Sequence, residues 1–213
     1  MTIKLHGFPL SPRAFKVLFA AEQFGVPYEL VTIDFGRGDT RTPAYTAMNP
    51  NQRMPTMDHD GFYLWESNAI VNYLAEQNPD GGYLPNDLKA RALTQQWQFW
   101  ESNHWDPAAA IFMFERVVKK LFGRGEADPA ELKKGADLMA RLAPVLDGQL
   151  AKTRFVVGDR LTAADVALGG TLVGTEQAGM PLEDYRGIQR WLTELRALPG
   201  WQKAAALMKA PGA

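Results

Sequence analysis

The sequence predicts a mixed α/β domain at residues 1–78 followed by an all-helical domain at residues 88–213. Short β-forming runs alternate with helical periodicity in the first part, whereas after Leu88 only long helical periodicities remain. Between the two parts, residues 79–87 concentrate the glycine, proline, asparagine and aspartate typical of a linker. These patterns decide the division, because length alone leaves one large domain or two small ones open.

The first elements form a β-α-β unit. Residues 2–6 and 28–33 are short β-type runs, and an apolar helical segment lies between them. Pro12 suits the first turn of this helix, and Gly25 ends it. The unit therefore places the start of a helix directly after the first strand.

A hairpin and a second helix follow an irregular stretch. Residues 55–65 are predicted as two strands joined by a turn at Asp58-His59-Asp60-Gly61. Ser67–Glu76 has the apolar spacing of a helix, and Asn78-Pro79 stops it. The first domain thus has the order β-α-β, a loop, then β-β-α.

The second domain is predicted as four helices, at residues 89–121, 129–151, 163–178 and 186–208. The third helix begins at a capping-box pattern, with Thr162 at the N-cap and Asp165 three residues later. Taken alone, such a pattern is only a good cap worth about 1 kcal/mol.

Composition excludes several classes of function. Hydrophobic residues make up 46% and charged residues 22% of the chain, so the chain can form a well-packed core without disulfide or metal cross-links. The formal net charge is −1 with both signs interspersed, so we expect neither a nucleic acid nor a membrane surface as a partner. The chain has no cysteine, which excludes a disulfide framework, a thiolate zinc site and a catalytic cysteine.

The histidines and the N-terminal segment complete these exclusions. His6, His59 and His104 share no ligand spacing, so no metal site is expected. The first residues are too polar for a signal peptide, and the chain lacks an apolar run of about 18 residues. We therefore expect a cytoplasmic location.

Three places in the first domain are candidates for chemistry. Ser11 precedes Pro12 at the start of the first helix, where its hydroxyl is either a simple N-cap or a reactive donor. Met54-Pro55 opens a strand, and a cis bond there would free the backbone groups of Met54 for a peptide-like ligand; a trans turn is the alternative. Glu66-Ser67 stands at a strand-to-helix junction, where free amides favour a carboxylate, although helix capping also explains Ser67.

The order and spacing of these motifs carry more information than each motif alone. The motifs are Ser11, Asn49-Pro50-x-x-x-Met54-Pro55, Glu66-Ser67-x-Ala69-Ile70 and Leu161-Thr162-x-x-Asp165. Together they resemble the soluble glutathione transferases over nearly the whole chain. Trp105-Asp106-Pro107-Ala108 and the following Phe114-Glu115-Arg116-Val117 resemble the phi class, which agrees with a serine as the activating residue. The classes that use a cysteine are excluded by composition.

The resemblance implies a thioredoxin-like first domain and roles for the candidate residues. Ser11 would donate its hydroxyl hydrogen to the sulfur of glutathione, the co-substrate. The other implied glutathione-binding residues are Arg41, Arg53, Met54, Pro55, Glu66 and Ser67. Met54 would pair with the cysteinyl part across a cis Pro55. Glu66 would bind the γ-glutamyl amine, and Ser67 its α-carboxylate.

Two positions depart from the phi pattern. Thr40-Arg41 stands where phi enzymes usually have His-Lys, and Arg53 stands where they have Gln or Lys. Both arginines retain the ability to pair with the glycyl carboxylate.

The second substrate is expected to be an apolar electrophile. Residues 89–121 carry several large apolar side chains, most of which are expected to be core packing. By resemblance, the residues lining the electrophile site are Leu10, Pro12, Phe35, Ile111 and Phe114. The resemblance also implies a homodimer. Reduction of organic hydroperoxides and non-catalytic ligand binding remain alternatives to glutathione transfer.

Overall fold

A computed structural model of the chain describes residues 2–34 and 36–208, which divide into two compact units. The first unit contains the residues up to Leu84 together with those from Ala197 onward. The second unit is Pro85–Arg196. The mixed first part and the helical second part that the sequence predicts are both present.

The first unit is built on a four-stranded mixed sheet. Its elements up to Leu84 are β1 (Ile3–Gly7), α1 (Pro12–Phe24), β2 (Tyr28–Thr32), α2 (Pro43–Met48), β3 (Thr56–His59), β4 (Phe62–Trp65) and α3 (Ser67–Glu76). The strand order is β2-β1-β3-β4, with β1 parallel to β2 and antiparallel to β3. Strands β3 and β4 form the predicted hairpin. This is the thioredoxin-like arrangement that the resemblance implies.

The second unit is helical throughout its named elements. They are α4 (Leu88–Trp100), α5 (Asp106–Phe112), α6 (Lys119–Leu121), α7 (Pro129–Leu150), α8 (Ala163–Gly170), α9 (Thr175–Ala178) and α10 (Arg186–Ala197). Two π-helical segments, Glu101–Trp105 and Met113–Val118, join α4, α5 and α6 into one continuous helical run. The predicted helix 89–121 is therefore present, with two turns wider than an α-helix.

The carboxylate of Asp165 holds the start of α8 through several hydrogen bonds. Asp165 is fully buried, and one of its oxygens accepts hydrogen bonds from the backbone N–H of Thr162 (2.9 Å) and from its hydroxyl (3.0 Å). The other oxygen accepts from the backbone N–H of Val156 (2.8 Å) and from Nε1 of Trp191 (3.0 Å). Asp165 thus joins α8, α10 and the loop before α8, which goes beyond the cap predicted from the sequence.

Two predicted helices are broken in the structure. The segment 163–178 divides into α8 and α9. The hydroxyls of Thr171, in the gap, and of Thr175, at the start of α9, donate to the backbone carbonyls of Leu168 and Leu172. Such side-chain bonds compete with the helical ladder. The segment 186–208 is broken at Leu198, whose backbone is extended because the next residue is proline.

The helix after this break, α11 (Pro199–Ala206), packs on α1 of the first unit. The ring of Trp201 meets Phe15 and Phe19 edge-to-face, with centroids 4.9 and 5.2 Å apart. The sequence assigns this helix to the helical domain at residues 88–213, whereas in the structure it belongs to the first unit. The reason is that the proline turn redirects the chain onto α1.

We expect Gly200→Ala to destabilise the first unit. A Cβ at Gly200 would lie 2.5 Å from both the backbone nitrogen and the Cα of Gln23, and backbone cannot yield as a flexible side chain can. The expected loss in the free energy of unfolding is about 1–3 kcal/mol, measured by urea denaturation.

The matched control is Gly148→Ala, because Gly148 lies within α7 and nothing stands within 4 Å of its would-be Cβ. There the substitution should stabilise the protein by up to about 1 kcal/mol. Equal effects at the two glycines would contradict the close approach of α11 to α1.

Candidate active site

Ser11 is the N-cap of α1. Its backbone is extended (φ −78°, ψ 125°), and its Oγ accepts a long hydrogen bond from the backbone N–H of Ala14 (3.5 Å). Among the residues that the structure describes, none accepts the hydroxyl hydrogen of Ser11. The half-buried hydroxyl therefore has a fixed position and a hydrogen that can be donated to a ligand.

The turn before β3 contains the Met54-Pro55 peptide bond, which is cis, as the resemblance implies. The backbone N–H and C=O of Met54 have no hydrogen-bond partner within residues 2–34 and 36–208. The side chain of Met54 contacts the loop before α1, where its Sδ lies 3.0 Å from the backbone nitrogen of Phe8. The carbonyl of Phe8 in turn accepts from the backbone N–H of Ser11 (2.8 Å). The Ser11 loop and the Met54 turn are thus brought together.

A buried polar cluster holds the chain just before this cis bond. Nδ2 of Asn49 donates to the carbonyl of Arg53 (2.8 Å) and to Oγ1 of Thr56 (3.0 Å). The Tyr45 hydroxyl donates to the same carbonyl (2.9 Å). Burial raises the pKa of Tyr45, which keeps its hydroxyl protonated as a donor. Asn49 stands in a motif that is visible in the sequence, but no local pattern indicates its partners Tyr45 and Thr56, because these three side chains meet only in the folded chain.

Glu66 and Ser67 begin α3. Glu66 is the N-cap and has a positive φ (70°, with ψ 113°), a conformation that costs a non-glycine residue about 1–3 kcal/mol. Its side chain is exposed and makes no capping bond. Such strain is concentrated at functional sites. The first amides of α3 lie outside the helical ladder, so this end of the helix favours an anionic group.

Lys16 is a residue of this region that sequence analysis missed. Only 2% of its surface is exposed, and its Nζ donates to Oγ of Ser67 and to Oδ1 of Asn68, both at 3.1 Å. The feature of the sequence that indicates a buried Lys16 is its position between Phe15 and Val17 in an apolar helix. A lysine that is buried within such a helix must direct its ammonium group to specific acceptors.

The two arginines and Thr40 differ in exposure. Arg41 ends a short 3-10 helix at Asp39–Arg41, and both Arg41 and Arg53 have exposed side chains. Thr40 is buried. The arginines are accessible to a carboxylate, whereas Thr40 faces the protein.

The residues predicted for the electrophile site are placed as follows. Leu10 and Pro12 flank Ser11 in the first unit, and both are half-buried. Ile111 is half-buried in α5 of the second unit, and Phe114 is 40% exposed in the π-helical segment after it. Phe35 lies outside the described residues. The assembly of these residues into one site stays a prediction.

Comparison with known proteins gives the family. The family model of the glutathione S-transferase N-terminal domain matches residues 1–76, and the family model of the C-terminal domain matches residues 105–199. A glutathione S-transferase of Silene vulgaris is 30% identical, covering 98% of this chain and 99% of that protein. The chain belongs to the glutathione S-transferase family.

Plant phi-class enzymes are among the relatives of this glutathione transferase, which confirms the phi-class resemblance. A probable glutathione S-transferase of Oryza sativa, GSTF2, is 29% identical over 98% of both chains. The solved structure of glutathione S-transferase I from maize, in complex with an atrazine glutathione conjugate, is 28% identical, covers 100% of both chains and has a TM-score of 0.89. The prediction of a glutathione-dependent transferase is confirmed, with glutathione as co-substrate.

None of the helices within residues 2–34 and 36–208 is both long and apolar enough to span a membrane. In the same part of the chain, no three His, Cys, Asp or Glu side chains are grouped so as to hold a metal ion.

Proposed function

We propose that this transferase ionises glutathione through Ser11 and transfers the resulting thiolate to an apolar electrophile. The observation that carries the proposal is the Ser11 hydroxyl, which accepts a bond from the backbone of α1 and keeps its own hydrogen available. A hydroxyl held in this way donates to a sulfur anion more strongly than to a neutral thiol, because bonds to charged acceptors are the stronger ones.

The energies are of the right size for this role. A free thiol has a pKa of about 8.5, so only a few per cent of it is ionised at pH 7. Lowering that pKa by about two units requires about 2.7 kcal/mol of preferential stabilisation of the anion. A hydrogen bond to a charged acceptor contributes about 1.5–3 kcal/mol, and the N-terminal end of α1 adds about 0.3–1 kcal/mol. Together these two contributions make the thiolate the major form of bound glutathione.

The remaining groups would hold the tripeptide. The free backbone N–H and C=O of Met54 suit the cysteinyl peptide groups, and exposed Glu66 suits the γ-glutamyl amine. Ser67 and the first amides of α3 suit the α-carboxylate. Arg41 and Arg53 would pair with the glycyl carboxylate. All of these residues belong to the first unit.

The reaction proposed is a substitution at carbon. The thiolate sulfur attacks the electrophilic carbon, a carbon–sulfur bond forms, and a halide or other leaving group departs with the bonding electrons. Binding both reactants side by side supplies much of the acceleration. The apolar character of the electrophile is supported by Leu10 and Pro12 on either side of Ser11. The glutathione conjugate in the maize structure supports the same reaction class.

Reduction of organic hydroperoxides is the second candidate, because it would use the same thiolate. Turnover with an activated aryl halide and with cumene hydroperoxide separates the two activities. The proposal predicts faster turnover of the aryl halide. Faster hydroperoxide turnover would make peroxidase the main activity, and absence of both would leave a ligand-binding protein.

The proposed enzyme acts as a homodimer in the cytoplasm. Three aromatic side chains on the edge strand β4 support an assembly, because Phe62, Tyr63 and Trp65 are 51%, 43% and 39% exposed. Sedimentation velocity gives the mass in solution, and a monomer at micromolar concentration would contradict the dimer.

We expect Glu66→Ala to weaken glutathione binding while leaving kcat at saturating glutathione nearly unchanged. The carboxylate would contact only the γ-glutamyl amine, far along the tripeptide from the reacting sulfur. The apparent KM for glutathione should rise by about tenfold or more, measured by initial rates.

The control for Glu66→Ala is a ligand rather than a protein variant. Glutaryl-cysteinylglycine lacks the amine, so its affinity should be the same for Glu66→Ala and the parent enzyme. A KM for glutathione that does not change in the variant would remove Glu66 from the site.

A further inference from the structure

We propose that Lys16 is a positioning residue for the anionic γ-glutamyl end of glutathione, acting through Ser67. This inference rests on the proposed function, because it concerns the α-carboxylate that Ser67 would bind. The observation is the buried ammonium group of Lys16 behind the first turn of α3, 3.1 Å from Oγ of Ser67 and 3.1 Å from Oδ1 of Asn68.

The hydrogen bond from Lys16 sets the direction in which Ser67 can donate. A serine hydroxyl has one hydrogen and two lone pairs. Because the ammonium group donates to Oγ, one lone pair is occupied, and the hydroxyl hydrogen must point away from Lys16. None of the residues that the structure describes accepts that hydrogen, so it is available to an external acceptor. A carboxylate at the beginning of α3 would be such an acceptor.

The electrostatics of this place favour an anion. The N-terminal end of α3 carries the positive end of its helix dipole, so a cation beside Ser67 and Asn68 is less favourable there than at the other end of the helix. Burying an ammonium group also costs several kcal/mol of hydration free energy. A carboxylate bound at this place would be attracted both by the ammonium group of Lys16 and by the positive end of the α3 dipole.

The acceptors belong to α3 and the donor to α1, so Lys16 also links the two helices that begin at the site. Ser11 caps α1, and Glu66 occupies the N-cap position of α3. Lys16 lies one and a half turns into α1 and reaches the first two residues of α3. The residue therefore fixes where the carboxylate-binding end of the tripeptide lies relative to the helix that Ser11 caps.

The test compares two ligands on two forms of the enzyme by calorimetric titration. Glutathione carries the α-carboxylate, whereas γ-aminobutyryl-cysteinylglycine lacks only that group. The parent enzyme should bind glutathione roughly 10- to 100-fold more tightly than the analogue. In Lys16→Met, affinity for glutathione should fall by about tenfold, whereas affinity for the analogue should change by less than about twofold.

Further variants separate positioning from general stability. Lys16→Arg keeps the charge and donors and should recover part of the preference for glutathione. Lys203→Met removes an exposed lysine from the same unit and should change neither affinity. Lys16→Gln is the alternative neutral variant if Lys16→Met fails to fold, as judged by thermal denaturation. In every folded variant, kcat at saturating glutathione should stay within about twofold of the parent value.

The outcomes are distinct. Equal weakening of both ligands by Lys16→Met would show a purely structural role and overturn the inference, as would unchanged glutathione affinity. Failure of the parent enzyme to bind glutathione would instead contradict the proposed function. A preference for glutathione that falls by about tenfold in Lys16→Met and stays unchanged in Lys203→Met would support the inference.

Discussion

Ser11→Ala is expected to lower kcat by about 3- to 40-fold at neutral pH, because the thiolate fraction of bound glutathione falls, while glutathione affinity changes by less than about fivefold. The variant loses a hydrogen bond to the thiolate worth about 1.5–3 kcal/mol, so the pKa of the bound thiol rises by one to two units. The other proposed contacts of the tripeptide, such as those of Met54, Glu66 and Ser67, are retained in the variant. Steady-state kinetics with an activated aryl halide give kcat, and calorimetry gives the affinity.

Two controls separate the hydroxyl donor from the helix cap. Ser11→Thr keeps a hydroxyl at the N-cap of α1 and should retain most of the turnover. Thr42→Ala removes the corresponding cap of α2, where the Thr42 hydroxyl accepts from the backbone N–H of Tyr45 (3.3 Å). That variant should lose about 1 kcal/mol of stability without a comparable loss of turnover. Unchanged turnover in Ser11→Ala would assign thiol activation to another group.

Asp165→Asn is expected to lower the free energy of unfolding by about 2–5 kcal/mol, because each buried donor left without an acceptor costs about 1–3 kcal/mol. The buried carboxylate accepts four hydrogen bonds, from Thr162, Val156 and Trp191. An amide has one acceptor oxygen, and its NH2 group would face N–H donors that then lack partners. Urea denaturation of the parent and the variant measures the difference.

The matched control is Asp87→Asn, because Asp87 is an exposed N-cap whose side chain, within the described part of the chain, accepts one hydrogen bond, from the backbone N–H of Ala90 (2.9 Å). Asparagine is an equally good N-cap, so the stability should change by only a few tenths of a kcal/mol. A similar small change for Asp165→Asn would show that the buried network contributes little.

The parts of the fold that the sequence predicts are those governed by local signals. Helix α3 has the predicted bounds, because its apolar spacing starts at Ser67 and a proline follows its end. Helix α1 begins at Pro12 for the same kind of reason. The break at Leu198 was missed although Pro199 is visible, because Trp191, Leu195 and Leu198 have the i, i+4, i+7 spacing of one long helix.

The candidate site shows the same division between local and tertiary information. The placement of Ser11 and Glu66 at helix N-caps follows from nearby residues. The contact of Met54 with Phe8 and of Lys16 with Ser67 joins segments more than 40 residues apart, so no local pattern reveals it. Lysines in helices are ordinarily solvent-exposed, which is why the sequence concealed Lys16.

The ionisation of bound glutathione tests the central claim most directly. The ultraviolet absorbance of the thiolate, followed as a function of pH in the complex of the parent enzyme, gives the pKa of the bound thiol. We predict a pKa about two units below the value of about 8.5 for a free thiol, so that the thiolate predominates at neutral pH. A bound thiol that is still protonated at neutral pH would contradict activation by Ser11.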